Sequence, residues 1–131
     1  MALLTREIAR ELIREGGLDI IIPNIYTSID DSAFKNDQLT SIAIPDSITS
    51  IGDYAFGYND LTAITIPDSI TSIANNAFKH NKLTEATIPD SVTSIGEDAF
   101  DYNPLESVNI SKDATFGLSG FPDDTLVDRR D

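Results

Sequence analysis

The chain contains no cysteine. That excludes a disulfide framework, a thiolate metal site and a thiol nucleophile, and it leaves the redox compartment open. Histidine occurs once, at His80, with no serine or cysteine motif around it. A catalytic base needs a nucleophile and an orienting partner, so nucleophilic catalysis has no anchor here. Basic residues are scarce: 9 Lys and Arg stand against 22 Asp and Glu, a formal net charge of −13 over 131 residues. Such a surface repels phosphate backbones and anionic headgroups, which argues against nucleic acid and bare membrane as partners. No apolar run approaches membrane-spanning length. A glycine-rich phosphate loop and metal-ligand spacings are also missing, so the expectation is no enzyme, no cofactor and no metal. The opening "MALLTREIARELIREGG" mixes Arg with Glu and has no apolar h-region. It does not read as a signal peptide, so an intracellular location is expected, with the cell surface or non-classical secretion as the alternative.

What is present is repetition. "IPDSITSIGDYAF" from Ile44 returns as "IPDSITSIANNAF" from Ile66 and "IPDSVTSIGEDAF" from Ile88, a period of 22 residues. Phe34, Phe56, Phe78 and Phe100 fall in register, each preceded by alanine, and Leu39, Leu61, Leu83 and Leu105 keep the same step. A fixed period in the twenties marks a solenoid, in which each repeat is one coil stacked on the last.

Within a coil, "AITI" alternates, so Ile64 and Ile66 point inward while Ala63 and Thr65 point out. Pro67 cannot donate to a ladder and ends the strand. "PDS" turns the chain, Ile70 and Ile73 return inward, and "NNAF" makes a second tight bend. No coil buries this apolar set alone, and stacked coils do. The expected strands lie near residues 19–22, 41–44, 63–66, 85–88 and 107–110, in one parallel sheet with the other side mostly irregular turns. "TREIARELIREGG" supplies a capping α-helix near 5–15, with Thr5 as N-cap and Gly16-Gly17 as its stop. The expected organisation of 1–131 is a single repeat domain: residues 1–17 a helical cap, 18–110 the coils, and 111–131 a C-terminal cap and tail. Phe116, Leu118 and Phe121 would fold over the last coil, and "DTLVDRRD" would fray.

The pattern "LTxIxIPDSxTSIGxxAF", recurring over residues 18–110, resembles the BspA-like class of leucine-rich repeats. The resemblance implies a right-handed leucine-rich-repeat solenoid with a parallel sheet along one face. It also implies protein–protein contact or adhesion, often at cell surfaces. Members commonly carry a cysteine shortly after the Ala-Phe pair, whereas here the loops read "KNDQ", "GYND", "KHNK" and "DYNP". Asp37, Asn59, Asn81 and Asn103 hold one position per coil, as an amide ladder between coils would.

Several columns compete for a functional reading. Asp46, Asp68 and Asp90 stack, but Ca²⁺ needs six or more oxygens, and the turn-forming role of Asp accounts for them. Thr27, Thr49, Thr71 and Thr93 align, each followed by serine; strand alternation would put only one hydroxyl column outward, too few for an ice-binding face. "NIS" at Asn109–Ser111 reads as a chance glycosylation sequon. Two residues after each Phe stand Asn36, Tyr58, His80 and Tyr102, a column of rings on an exposed edge, either a binding hot spot or a mere loop cover. It is expected to border the outward sheet face carrying Ala63, Thr65, Glu85 and Thr87. These seven residues, Tyr58, His80, Tyr102, Ala63, Thr65, Glu85 and Thr87, are the candidate protein-binding site. The function expected is a non-enzymatic binding module of interaction or adhesion type for a protein with a basic or neutral surface; the alternative is a self-associating structural element.

Overall fold

In the computed structural model, which describes residues 2–131, alternation within each coil turns into two columns of parallel strands. In chain order the elements are β1 (Leu3–Leu4), α1 (Arg6–Gly16), β2 (Asp19–Ile21), β3 (Ser28–Ile29), β4 (Ser41–Ala43), β5 (Ser50–Ile51) and β6 (Ala63–Thr65). They continue as β7 (Ser72–Ile73), β8 (Glu85–Thr87), β9 (Ser94–Ile95), β10 (Ser107–Ser111), β11 (Thr115–Phe116) and β12 (Leu126–Arg130). Even-numbered strands form one side and odd-numbered strands the other, and every pairing is parallel. The result is a parallel solenoid of about six turns with one short helix at its N-terminus. The first five coils run from β2–β3 to β10–β11, and β12 begins the sixth.

Between the strand columns runs the core. Phe34, Phe56, Phe78 and Phe100 are fully buried and stack with centroids 5.4 Å apart and rings within 9° of parallel. Backbone bonds repeat at the same rung, from Phe34 N to Ala55 O at 2.8 Å and from Phe56 N to Ala77 O at 2.9 Å. Below it lies the amide ladder. Asn81 Nδ2 donates to the carbonyls of Phe56 and Phe78, and its Oδ1 accepts from Leu61 N; Asn59 and Asn103 repeat this one coil earlier and one coil later. Each asparagine thereby satisfies buried backbone groups of two coils.

Asp37, at the first rung, departs from this. No coil precedes it to offer a carbonyl, and a carboxylate has no donor. It accepts instead a bidentate bond from Arg6 of α1 (2.9 and 3.0 Å), whose guanidinium also donates to the carbonyls of Ser32 and Ala33. The helix is capped by Thr5, whose Oγ1 accepts from Ile8 N at 3.3 Å, and it stops at Gly17, at φ 79°. Ala9 is buried, while Ile8, Leu12 and Ile13 pack against the core from outside.

Four expectations need correction. The side read as irregular turns carries the second column of two-residue strands, and β1 adds a rung to it before the helix begins. The tail does not fray: β12 pairs residue by residue with β10, from Ser107↔Leu126 to Ser111↔Arg130. Phe121, expected only to cover the last coil, is the fifth ring of the phenylalanine stack, 5.3 Å from Phe100. Its step from Phe100 is 21 residues rather than 22, and the step from Val108 to Val127 is 19, so a search at 22 passes over both. Fourth, threonine precedes the short strand instead of lying in it, so Thr49, Ser50, Thr71, Ser72, Thr93 and Ser94 are all exposed in two hydroxyl columns.

Both ladders break together at one junction, and the even-numbered column is interrupted once more, between β8 and β10. Strands pair as β1-β3-β5, β7-β9-β11, β2-β4, β6-β8 and β10-β12, so between the second and third coils neither column is continuous. Glycine explains the contrast. A Cβ on Gly52 would stand 2.6 Å from Asp31 N, and one on Gly96 would stand 2.6 Å from Asn75 N. At those two places the coils close in, with Gly52 N bonded to Ile29 O and Gly96 N to Ile73 O. The third coil has Ala74 at this position, and its methyl holds the coils apart. The seam leaves Ile42 and Ile44 half-buried, where Ile64 and Ile66 are buried.

Candidate functional site

Tyr58, His80 and Tyr102 sit in the tight bend that follows each core phenylalanine. The bend demands a left-handed backbone: φ is 59° at Asn36 and Tyr58, 58° at His80 and 59° at Tyr102. The conformation is fixed by bonds to the next coil, from Tyr58 N to Lys79 O at 2.8 Å and from His80 N to Asp101 O at 3.0 Å. Glycine or asparagine takes this conformation at little cost, whereas an aromatic residue gives up roughly 1 kcal/mol. Stacking returns a similar sum, at ~0.5–1.5 kcal/mol per pair. Stability alone therefore does not call for rings at this position.

The rings do stack. Tyr58 and His80 have centroids 4.7 Å apart, and His80 and Tyr102 4.3 Å apart, with planes within 16° and 5° of parallel. Exposure rises along the column, from 37% at Tyr58 to 60% at Tyr102. Because neighbours cover the ring faces, the column presents mainly ring edges, two phenolic hydroxyls and an imidazole.

Three further residues belong to this edge and escaped the sequence reading. Tyr54, also left-handed at φ 59°, lies beside Tyr58 with centroids 6.4 Å apart. The Lys35 ammonium sits 4.3 Å from the Tyr54 centroid and 5.6 Å from that of Tyr58. Lys79 lies 5.5 Å from the Tyr102 centroid and 3.4 Å from the Asp98 carboxylate. Partial desolvation opposes the Lys79 charge, but the Asp98 hydrogen bond and charge outweigh it, so its pKa is raised. The available signal was the pairing of aromatics four residues apart across one bend, with a lysine one residue after Phe34 and after Phe78.

Ala63, Thr65, Glu85 and Thr87 lie as expected on the outward face, where β6 pairs with β8 in the register Ala63↔Glu85 and Thr65↔Thr87. They do not form one cavity. Ala63 and Thr65 line a groove of about 330 Å³ at the seam, with Ile42, Ile44 and Asp46. Glu85 and Thr87 line another, of about 550 Å³, with Ser107, Asn109 and Asp128. Neither groove includes a ring of the aromatic column.

Elsewhere, Asp46, Asp68 and Asp90 are exposed, and Asp90 accepts a 2.7 Å bond from Arg130 Nε. The rest of that guanidinium donates to the carbonyls of Ile88 and Asn109, tying three coils together. Among the described residues no group of three or more His, Asp or Glu side chains could hold a metal ion, and no helix is long and apolar enough to cross a membrane.

A family model described as a BspA type leucine rich repeat region matches residues 18–125, in six copies. Among solved structures, a leucine-rich cell surface protein from Faecalibacterium prausnitzii A2-165 is similar at 27% identity and a TM-score of 0.60. The likeness covers 86% of this chain and 39% of that protein, so the chain spans well under half of its length. No curated protein matches.

Proposed function

The chain belongs to the BspA-type leucine-rich-repeat family, and we propose that it is a non-enzymatic module that binds a protein through the edge formed by Tyr58, His80 and Tyr102 and the sheet face beside it. One observation carries this reading. Exposed aromatic rings occupy a left-handed backbone position that glycine or asparagine fills more cheaply, and their stacking yields no surplus stability. Tyrosine at an exposed edge is the side chain from which interface hot spots are built. Ala63, Thr65, Glu85 and Thr87 supply a smooth flank on which a partner chain lies. The net charge of −13 favours a basic or neutral partner and speeds that encounter at low salt. The similar protein from Faecalibacterium is described as a cell surface protein, which supports an adhesion role at a surface.

The test is one of location. Binders are selected from a display library, and a photoreactive residue is placed at position 80 or 85 in one set and at position 72, on the other strand column, in a second. Cross-links from 80 and 85 are expected. Cross-links from 72 alone would move the site to the hydroxyl columns.

A second reading, self-association, has its own observation. β12 is an open edge strand and Leu118 is fully exposed beside the groove at that end of the solenoid. Light scattering separates the two: a mass that grows with the concentration of this protein alone identifies self-association.

A further inference from the structure

The ring column has two ends, and the chain closes only one of them. At the first end the Lys35 ammonium lies over Tyr54 and Tyr58, 4.3 and 5.6 Å from their centroids. A cation on a ring face is held by the quadrupole of the π-system. Inside the column each ring is covered by the next, at 4.7 and 4.3 Å. Tyr102 comes last. His80 covers one of its faces at 4.3 Å, and Lys79, from the coil before it, lies 5.5 Å from its centroid while bound to Asp98. The fifth coil offers neither ring nor cation: 21 residues on, the step that separates Phe100 from Phe121, stands Asp123. Tyr102 is accordingly 60% exposed. Next to it along the chain, Asn103, Pro104, Leu105, Glu106, Pro122 and Asp124 line a groove of about 350 Å³. Two prolines and a leucine line it together with Asn103 and the carboxyl-bearing Glu106 and Asp124.

We propose that the outer face of Tyr102 is a receptor for a single cationic side chain, a guanidinium or ammonium group supplied by the partner, with Glu106 and Asp124 as its counter-charges. Lys79 already stands to Tyr102 as Lys35 stands to Tyr58, at 5.5 and 5.6 Å, both from the preceding coil; the partner's cation would approach from the side of the fifth coil, which supplies none. The proposal rests on the reading of the aromatic edge as the binding site and names the chemistry of the group bound there. Arginine fits best, because its planar guanidinium stacks on a ring while its fork donates to carboxylates.

The probe is the peptide Gly-Ser-Arg-Ser-Gly, with a copy carrying citrulline, the neutral isostere of arginine, as control. Aromatic NMR signals are followed during titration at constant ionic strength. The Tyr102 ring should shift saturably with the arginine peptide, and the Tyr58 ring much less. Tyr102→Leu should weaken binding about fivefold or more, while Tyr102→Phe, which keeps the π-face, should bind within about twofold of wild type. The citrulline peptide should bind as weakly as the arginine peptide binds Tyr102→Leu. Equal responses at Tyr58 and Tyr102, no saturable response, or full affinity in Tyr102→Leu would leave only attraction by net charge and overturn the proposal. A selected partner separates this claim from the broader one. If Tyr58→Ala/Tyr102→Ala weakens it but neutralising its Lys and Arg residues does not, the binding edge stands and the cation receptor falls.

Discussion

Asn81 carries the amide ladder through the middle of the solenoid, and Asn81→Asp isolates what its two donors contribute. The change keeps size, shape and the oxygen that accepts from Leu61 N at 3.1 Å. It removes the donors to Phe56 O at 2.9 Å and Phe78 O at 3.0 Å. Two buried carbonyls then face a carboxylate. Each carbonyl keeps one donor, Asn59 Nδ2 on Phe56 O and Asn103 Nδ2 on Phe78 O, both at 3.0 Å. The loss is therefore of two hydrogen bonds at ~0.5–1.5 kcal/mol each, about 1–3 kcal/mol at neutral pH, with the repulsion between carboxylate and carbonyls added to it. Set against a typical domain stability of ~5–15 kcal/mol, that is a large fraction. The sign of the pH effect follows from linkage. Burial and the facing carbonyls raise the folded-state pKa of the new carboxyl above its unfolded value, so the penalty is absent below the unfolded pKa and grows as pH rises through the folded one. The protonated acid also donates to one of the two carbonyls. Urea unfolding followed by circular dichroism, for both proteins at neutral and at acid pH, measures the difference. An unchanged midpoint at neutral pH, or a deficit that widens on acidification, would refute the reasoning.

Phe78→Ala should cost ~3–5 kcal/mol by opening a cavity in the ring stack, with hydrogen exchange speeding up first in the second and fourth coils; no change in those coils would contradict it. Ala74→Gly removes the methyl that holds the seam open, so the amide of residue 74 should bond to Ile51 O, as Gly52 N bonds to Ile29 O and Gly96 N to Ile73 O, and should then exchange more slowly. An unchanged exchange rate at that amide would assign the seam another cause. Arg6→Ala leaves the Asp37 carboxylate, with a side chain only 6% exposed, beside a weaker partner in Arg10 at 3.8 Å. The half-exposed arginine reduces the effect to about 1–3 kcal/mol, and unfolding should begin at the N-terminal coil; a melting curve identical to wild type would deny the helix its capping role.

The 22-residue register was enough to place β2, β4, β6, β8 and β10 to within a residue, because strand alternation and a constant step leave no other phase for Ile20, Ile64 and Val108. Thr5 and Gly17 bounded the helix for the same kind of local reason. What escaped depended on geometry between coils. Phe121 and β12 follow at steps of 21 and 19 residues, since the last loops are shorter. The seam turns on one methyl at Ala74, whose effect appears only when the approach of the neighbouring backbone is known. Asp37 looked like one more rung, and its different chemistry follows from the absence of a coil before it. At the candidate site, the spacing of Tyr58, His80 and Tyr102 made their stacking readable. The contacts of Lys35 and Lys79 were not, because each meets a tyrosine 23 residues further on, Tyr58 and Tyr102, and its sequence neighbours say nothing of the ring it covers.

The affinity of a selected protein partner for the Tyr58→Ala/Tyr102→Ala variant, measured with the melting curve of the same preparation, tests the functional claim most directly. Removal of two hot-spot rings should weaken binding by about 2 kcal/mol or more, a factor of roughly thirty, while the fold survives because both rings are exposed and stand outside the buried core. An unchanged affinity with the fold intact would make the column a loop cover and place the binding site elsewhere on the solenoid.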